Sequence, residues 1–220
     1  MRYTLVDSAL AFEDEHFLLD QRWPAHKATP ETTGPFGMLP VLAWNQHRVG
    51  QTLAIASYLG RRLGHYESRS PEEIAELEGV TSAAYTDFTN ILPELLRPRV
   101  MPAAAQFGEF FEGFIARVPG RLPAFERLLA ARSGAFFGGR EPAVADYFVF
   151  EAIDAWLELL GAHFSRALEA CPLLREQRTA LSARRHLSQY LASGNRPLPF
   201  TGSPHEVELR ERLRAHLAAR

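Results

Sequence analysis

The spacing of apolar positions changes near residue 65. Before that point, apolar residues come in short runs broken by proline and glycine, as in Trp23-Pro24, Thr29-Pro30 and Gly34-Pro35-Phe36-Gly37. The run Leu39-Pro40-Val41-Leu42, then Trp44, predicts a strand with a proline near its start. Asn45-Gln46-His47 predicts a turn, and Val49 opens a second short strand or leads directly into a helix. That helix, Thr52 to Arg62, sets Ile55, Leu59 and Leu63 at four-residue spacing and stops at Gly64. Beyond Ser70-Pro71 the spacing is helical throughout. Ile74, Leu77, Ala84, Phe88, Ile91 and Leu95 recur at threes, fours and sevens until Pro98. Phe107, Phe111, Phe114 and Val118 mark the next helix, and Val149, Ile153, Trp156 and Leu160 a third, reached through Pro142. Pro172 opens another through Leu174 and Leu181 towards Leu191, and Gly194 to Pro199 reads as a connecting loop. Pro204 opens the last helix, with Leu209, Leu213 and Leu217 on one stripe. The pattern predicts a small α/β unit over residues 1–65 and an all-helical domain over residues 71–220.

Composition narrows the classes of function. The chain has 220 residues, and 24 Lys+Arg against 26 Asp+Glu give a formal charge of 24 − 26 = −2. Such a balance supplies no field to attract nucleic acid or an anionic membrane, so neither is an expected partner. The most apolar stretch, Tyr147 to Phe164, carries Glu151, Asp154 and Glu158, which argues against a membrane span. The N-terminus lacks a basic start followed by an apolar run, so no secretory signal is read and a cytoplasmic location is expected. A single cysteine, Cys171, excludes an internal disulfide framework and a multi-thiolate metal centre. The histidines form no His-x-x-x-His pair with a nearby acid on one face, so no metal is expected. Cys171 reads as a small residue opening the helix at Pro172, and Phe107, Phe110, Phe111 and Phe114 read mostly as core.

Two motifs at fixed spacing carry more information. Gly34-Pro35-Phe36-Gly37-Met38-Leu39-Pro40-Val41-Leu42 is followed, eleven residues beyond Pro40, by Gln51-Thr52-Leu53-Ala54-Ile55-Ala56-Ser57-Tyr58-Leu59. Together they resemble the N-terminal domain of cytosolic glutathione transferases, in the sigma-like branch that includes prostaglandin D synthases. Trp23-Pro24-x-x-Lys27 resembles that branch's glutathione-contacting segment. Phe137-Gly138-Gly139 with Ala145-Asp146 resembles the start of the family's sixth helix, and Pro172 through Leu191 its seventh and eighth. The resemblance covers almost the whole chain. It implies a thioredoxin-like α/β N-terminal domain lacking its first strand, joined to an all-α C-terminal domain.

The implied activity is transfer of glutathione, a co-substrate, to small apolar electrophiles, or their isomerisation, by a homodimer. The alternative is a non-catalytic glutathione-binding or scaffolding dimer of the same fold. Glutathione is an anionic peptide with two carboxylates, one ammonium and an extended backbone. A cis bond before Pro40 would turn the main chain of Leu39, next to Met38, outward to pair with such a peptide. Gln51 and Thr52 open a helix, where unpaired N–H groups and a hydroxyl suit a carboxylate. The resemblance assigns Lys27 and Trp23 to the glycyl carboxylate, and Asp87 to the glutathione ammonium of a partner subunit.

The N-terminus departs from the family pattern. Arg2 to Ala9 resembles the C-terminal half of the family's first helix, running into Leu10-Ala11-Phe12-Glu13-Asp14 as its second strand. In that register the first strand and the catalytic Tyr, Ser or Cys would precede Met1, and the chain starting there should transfer glutathione poorly. Lowering a thiol pKa by about two units is worth roughly 2.7 kcal/mol, which is what such a hydroxyl supplies. The other register makes Arg2 to Val6 the first strand and Tyr3 the hydroxyl donor, at the expense of the whole first helix. The hydroxyl cap usual before Ala145-Asp146 is replaced by Ala143, a loss of about 1 kcal/mol.

Overall fold

The computed structural model describes residues 1–17, 21–91, 107–194 and 204–219. Leu95, Pro98, the loop beyond Gly194 and the side chains of Phe107, Phe110 and Phe114 lie outside the described residues. The first helix, α1, spans Arg2–Asp7, so Tyr3 lies on a helix and not on a strand. Two short helices come next, α2 (Trp23–Lys27) and α3 (Pro30–Thr33), each with proline in its first turn, where a missing N–H costs nothing. A 3-10 turn, Gly34–Phe36, leads to the hairpin of β1 (Val41–Trp44) and β2 (His47–Gly50). The strands pair antiparallel from Val41↔Gly50 to Trp44↔His47. Helix α4 (Thr52–Arg62) then buries Ile55, Ala56 and Leu59.

The segment expected as a second strand, Leu10 to Asp14, forms no ladder with any described residue. Side chains hold it instead. Asp14 pairs with the Arg2 guanidinium and lies 3.2 Å from His16 Nε2, which ties the segment back to α1. Leu10 and Phe12 each remain 38% exposed, outside the one sheet among the described residues.

The helical part is built around α8 (Val144–Leu160). Among its residues only Glu151, Leu157 and Glu158 are not buried, so neighbours pack around nearly its whole circumference. Those neighbours include α1, α4, α5 (Pro71–Ala84), α9 (Ala162–Glu169), α10 (Pro172–Ser182) and α12 (Pro204–Ala218). Helix α5 starts in a capping box. Glu73 N–H donates to Ser70 Oγ at 3.2 Å and Ser70 N–H to Glu73 Oε2 at 2.8 Å. It ends in a π turn, Tyr85–Thr89, in which Asn90 N–H reaches Tyr85 O at 2.7 Å. The buried Trp156 indole donates to Phe88 O at 3.2 Å, giving that turn an anchor in the core. Helices α6 (Phe107–Arg117) and α7 (Leu122–Ala130) complete this layer.

The single helix that spacing predicts from Pro172 towards Leu191 is two helices, α10 and α11 (Arg185–Ala192), as the resemblance implies. Arg184 sits between them in an extended conformation, φ −63° and ψ 135°, with its guanidinium on Asp7 and Glu141. Long-range charge pairing there stops a helix that local spacing alone would continue.

At the start of α8, Asp146 is fully buried and accepts four hydrogen bonds. The donors are Phe137 N–H (2.7 Å), Gly138 N–H (3.1 Å), Ala143 N–H (2.9 Å) and Gln177 Nε2 (2.8 Å). Burial pushes its carboxyl pKa up and the four donors pull it back. A side chain on Gly138 would collide with Glu141 O, so the loop closes over Asp146 only with glycine there.

Candidate functional site

Because Val41 pairs with Gly50, Pro40 and Gln51 leave the open end of the hairpin side by side. The Leu39–Pro40 peptide is cis. Met38 N–H donates to Thr33 O at 3.1 Å, which fixes the loop before Leu39 to α3, while the Leu39 main chain bonds to no described residue. Phe36 lies against Gly50, so close that a side-chain carbon there would stand 3.3 Å from its ring. Phe36, Met38 and Leu39 stay 60%, 56% and 37% exposed, an apolar rim at the hairpin mouth.

Gln51 is the cap residue of α4, and its backbone has φ 72° and ψ 124°. Its carbonyl accepts from Ile55 N–H at 2.9 Å, so the helix is properly started. No side chain caps that terminus. The first N–H groups of α4 and the Thr52 hydroxyl are therefore available to an anion, favoured further by the helix dipole. Cis-Pro40, the Leu39 main chain, Gln51 and Thr52 thus lie together at one end of the hairpin. What they offer is an extended main-chain edge beside a carboxylate-binding helix end.

Trp23 and Lys27 stand at the two ends of α2, as their spacing suggested. Thr33 Oγ1 donates to Lys27 O at 3.0 Å and couples α2 to α3. Helix α3 packs on the Gly34–Phe36 turn, and that turn on β2. These residues therefore connect to the hairpin through α3. Lys27 is exposed without an anionic partner among the described residues, and Trp23 is half-buried. Asp87 lies on the π turn, 3.6 Å from Arg121 Nε, and that turn packs on α5 and α8. Tyr3 is 4% exposed, edge-on to Phe150 at 5.2 Å and Tyr190 at 6.1 Å, so its hydroxyl belongs to a core cluster and not to the hairpin mouth. Cys171 caps α10 and is buried, which pushes its thiol pKa up and makes it a poor nucleophile.

A polar network that spacing did not disclose joins the two parts of the chain. The Tyr147 hydroxyl donates to Asp7 Oδ2 at 2.6 Å, and Arg184 Nε pairs with the same oxygen at 2.5 Å. His65 stacks on Tyr147 with ring centroids 6.1 Å apart. Burial, aided by the positive charge of Arg69, lowers the His65 pKa to about 4. Burial also drives the Tyr147 pKa upward, and the bond to Asp7 adds to the shift. These residues lie 140 and 177 positions apart, beyond the reach of any periodicity.

Comparison with known proteins agrees with this architecture. A family model described as glutathione S-transferase, C-terminal domain, matches residues 105–194. Glutathione S-transferase 1 of Ascaris suum is 28% identical over 177 residues, covering 76% of this chain and 79% of its own. The solved glutathione S-transferase of Ascaris lumbricoides superposes with a TM-score of 0.71 at 22% identity, over 90% of this chain and 92% of that one. A rat hPGDS structure complexed with a quinoline superposes with a TM-score of 0.67 at 22% identity, over 89% of each. The chain has the glutathione S-transferase fold, and residues 105–194 match the model of that family's C-terminal domain. Among the described residues, no helix is long and apolar enough to cross a membrane, and no group of three or more acidic, histidine or cysteine side chains could hold a metal.

Proposed function

We propose that the hairpin mouth binds glutathione and that the protein transfers its thiolate to small apolar electrophiles in the cytoplasm. The observation that carries this reading is the uncapped start of α4 beside the unpaired main chain of Leu39. The cysteinyl backbone of glutathione would pair with Leu39 as an added strand, and one carboxylate would sit on Gln51, Thr52 and the first N–H groups of α4. Lys27 supplies a cation for the other carboxylate, and Trp23 an indole N–H. The exposed Phe36, Met38 and Leu39 suit an apolar neighbour to the peptide. In the reaction the thiolate sulfur forms a bond to an electrophilic carbon, and the leaving group departs with its electron pair. The Trp23–Lys27 segment favours the sigma-like branch.

We further read the protein as a homodimer in which Asp87, one-third exposed, meets the glutathione ammonium of the partner's site. Sedimentation showing a monomer at micromolar concentration would count against that part alone. The activity is tested by conjugation of a chloro-dinitrobenzene with glutathione. Turnover that falls at least tenfold in Gln51→Ala supports the proposal. Tight glutathione binding with no turnover would favour the scaffolding role, and no binding at all would remove both.

A further inference from the structure

The far end of α4 opens into a cleft of about 300 Å³ that glutathione at the hairpin mouth would not touch. Helix α4 has eleven residues, so the cleft lies about 16 Å from Gln51 at 1.5 Å per residue. Its walls come from the chain after α4, the C-terminal end of α1, the start of α8 and the break between α10 and α11.

Three nitrogen groups converge on it. Arg69 is pinned by two backbone acceptors, Nε to His65 O at 2.8 Å and one terminal nitrogen to Gly138 O at 2.7 Å. Its other terminal nitrogen has no hydrogen-bond or ion-pair partner among the described residues. Arg184 spends Nε on Asp7 and Nη1 on Glu141, which leaves Nη2 open. In the His65 ring, Nδ1 is buried without a partner. A buried N–H without an acceptor is rarer than an unpaired lone pair, so the proton belongs on Nε2. Nε2 is not among the buried unpartnered atoms and bonds no described group, so it is accessible on a ring that lines the cleft.

We propose that this cleft is a second ligand site, which takes the oxyanion of a small carboxylate or phosphate compound on Arg69, Arg184 and His65. Guanidinium groups already held in place lose little freedom when they grip a planar carboxylate or a phosphate. Asp7 does not oppose this, because its buried charge is committed to Tyr147 and Arg184. Glu67 and Glu141 are exposed at the rim and weaken the pull on an anion, so affinity for a simple ion is modest.

The test is titration of the full chain with inorganic phosphate and, separately, with succinate. Binding is read by calorimetry and by the ¹H–¹⁵N signals of the His65 imidazole. Binding of either anion that moves the His65 signals, survives saturation with S-hexylglutathione and weakens at least tenfold in Arg69→Gln supports the site, and the two titrations separate phosphate from carboxylate preference. Loss of Arg69 could also loosen the loop at Gly138, so Glu67→Gln provides the independent control. Removing that rim charge should tighten anion binding two- to threefold, which damaged folding cannot do. Glutathione conjugation should be unchanged in both variants. Absence of binding at millimolar anion, competition by S-hexylglutathione, or indifference to Arg69→Gln and Glu67→Gln would each overturn the proposal. Anion binding and its response to Arg69→Gln and Glu67→Gln do not depend on transferase activity, so failure here is distinct from failure of the glutathione reading.

Discussion

Val41 pairs with Gly50, and that one cross-strand pair sets Pro40 beside Gln51 at the hairpin mouth. Two motifs eleven residues apart in sequence thereby become neighbours, with the uncapped start of α4 and the unbonded main chain of Leu39 at the same end of the hairpin.

Gln51 has the first informative substitution. A non-glycine residue at φ 72° is strained, and glycine is not. Gln51→Gly should therefore raise stability by about 1 kcal/mol, or about 2–4 °C in Tm for a chain of this size. Glutathione affinity should fall at least tenfold in the same variant. Thermal unfolding and calorimetric titration check the two effects separately.

Asp146 should be indispensable to folding. Asp146→Ala leaves the N–H groups of Phe137, Gly138 and Ala143 buried without an acceptor, at a cost of about 3–5 kcal/mol or more. The expected result is little soluble protein, or a midpoint of urea unfolding far below that of the parent. A near-parental midpoint would mean that these donors find other acceptors.

His65 predicts an acid-sensitive stability. Its pKa is about 4 in the folded chain against 6.5 for a solvated histidine, so between those values the unfolded chain binds more protons. Stability from this group is therefore complete above about pH 6.5 and is lost as the pH falls towards 4, by about 2–3 kcal/mol. Urea midpoints at pH 5 and pH 7 should differ less in His65→Gln than in the parent.

The Asp7 network predicts coupled losses. Tyr147→Phe removes one hydrogen bond to a buried carboxylate and should cost about 1.5–3 kcal/mol. Adding Arg184→Ala leaves Asp7, 4% exposed, without either partner. The double variant should cost about 1 kcal/mol more than the sum of the singles. Simple additivity would show that water replaces these partners.

The helical half was legible because one long stripe of apolar residues per helix must face the same core. Thr52–Arg62 matches its expected bounds, and Leu209 and Leu213 of α12 lie buried where their stripe placed them. Spacing failed where distant partners decide. It ran α10 into α11 because nothing in the local sequence shows that Arg184 is held by Asp7. The strand at Leu10 to Asp14 came from the family resemblance, which cannot show whether a ladder partner exists, and no described residue supplies one. The hairpin mouth was legible since proline, glycine and the helix start leave local marks. The His65, Tyr147 and Arg69 cleft was not, because each residue by itself resembles an ordinary core or surface position.

The most direct test of the central claim is an amide NMR titration of the protein with glutathione. Binding at the hairpin mouth predicts saturable shifts at Leu39 and at Thr52 to Ala54, accompanied by the Trp23 indole, with no change around Tyr147. Shifts confined to other parts of the chain, or none at millimolar glutathione, would contradict it.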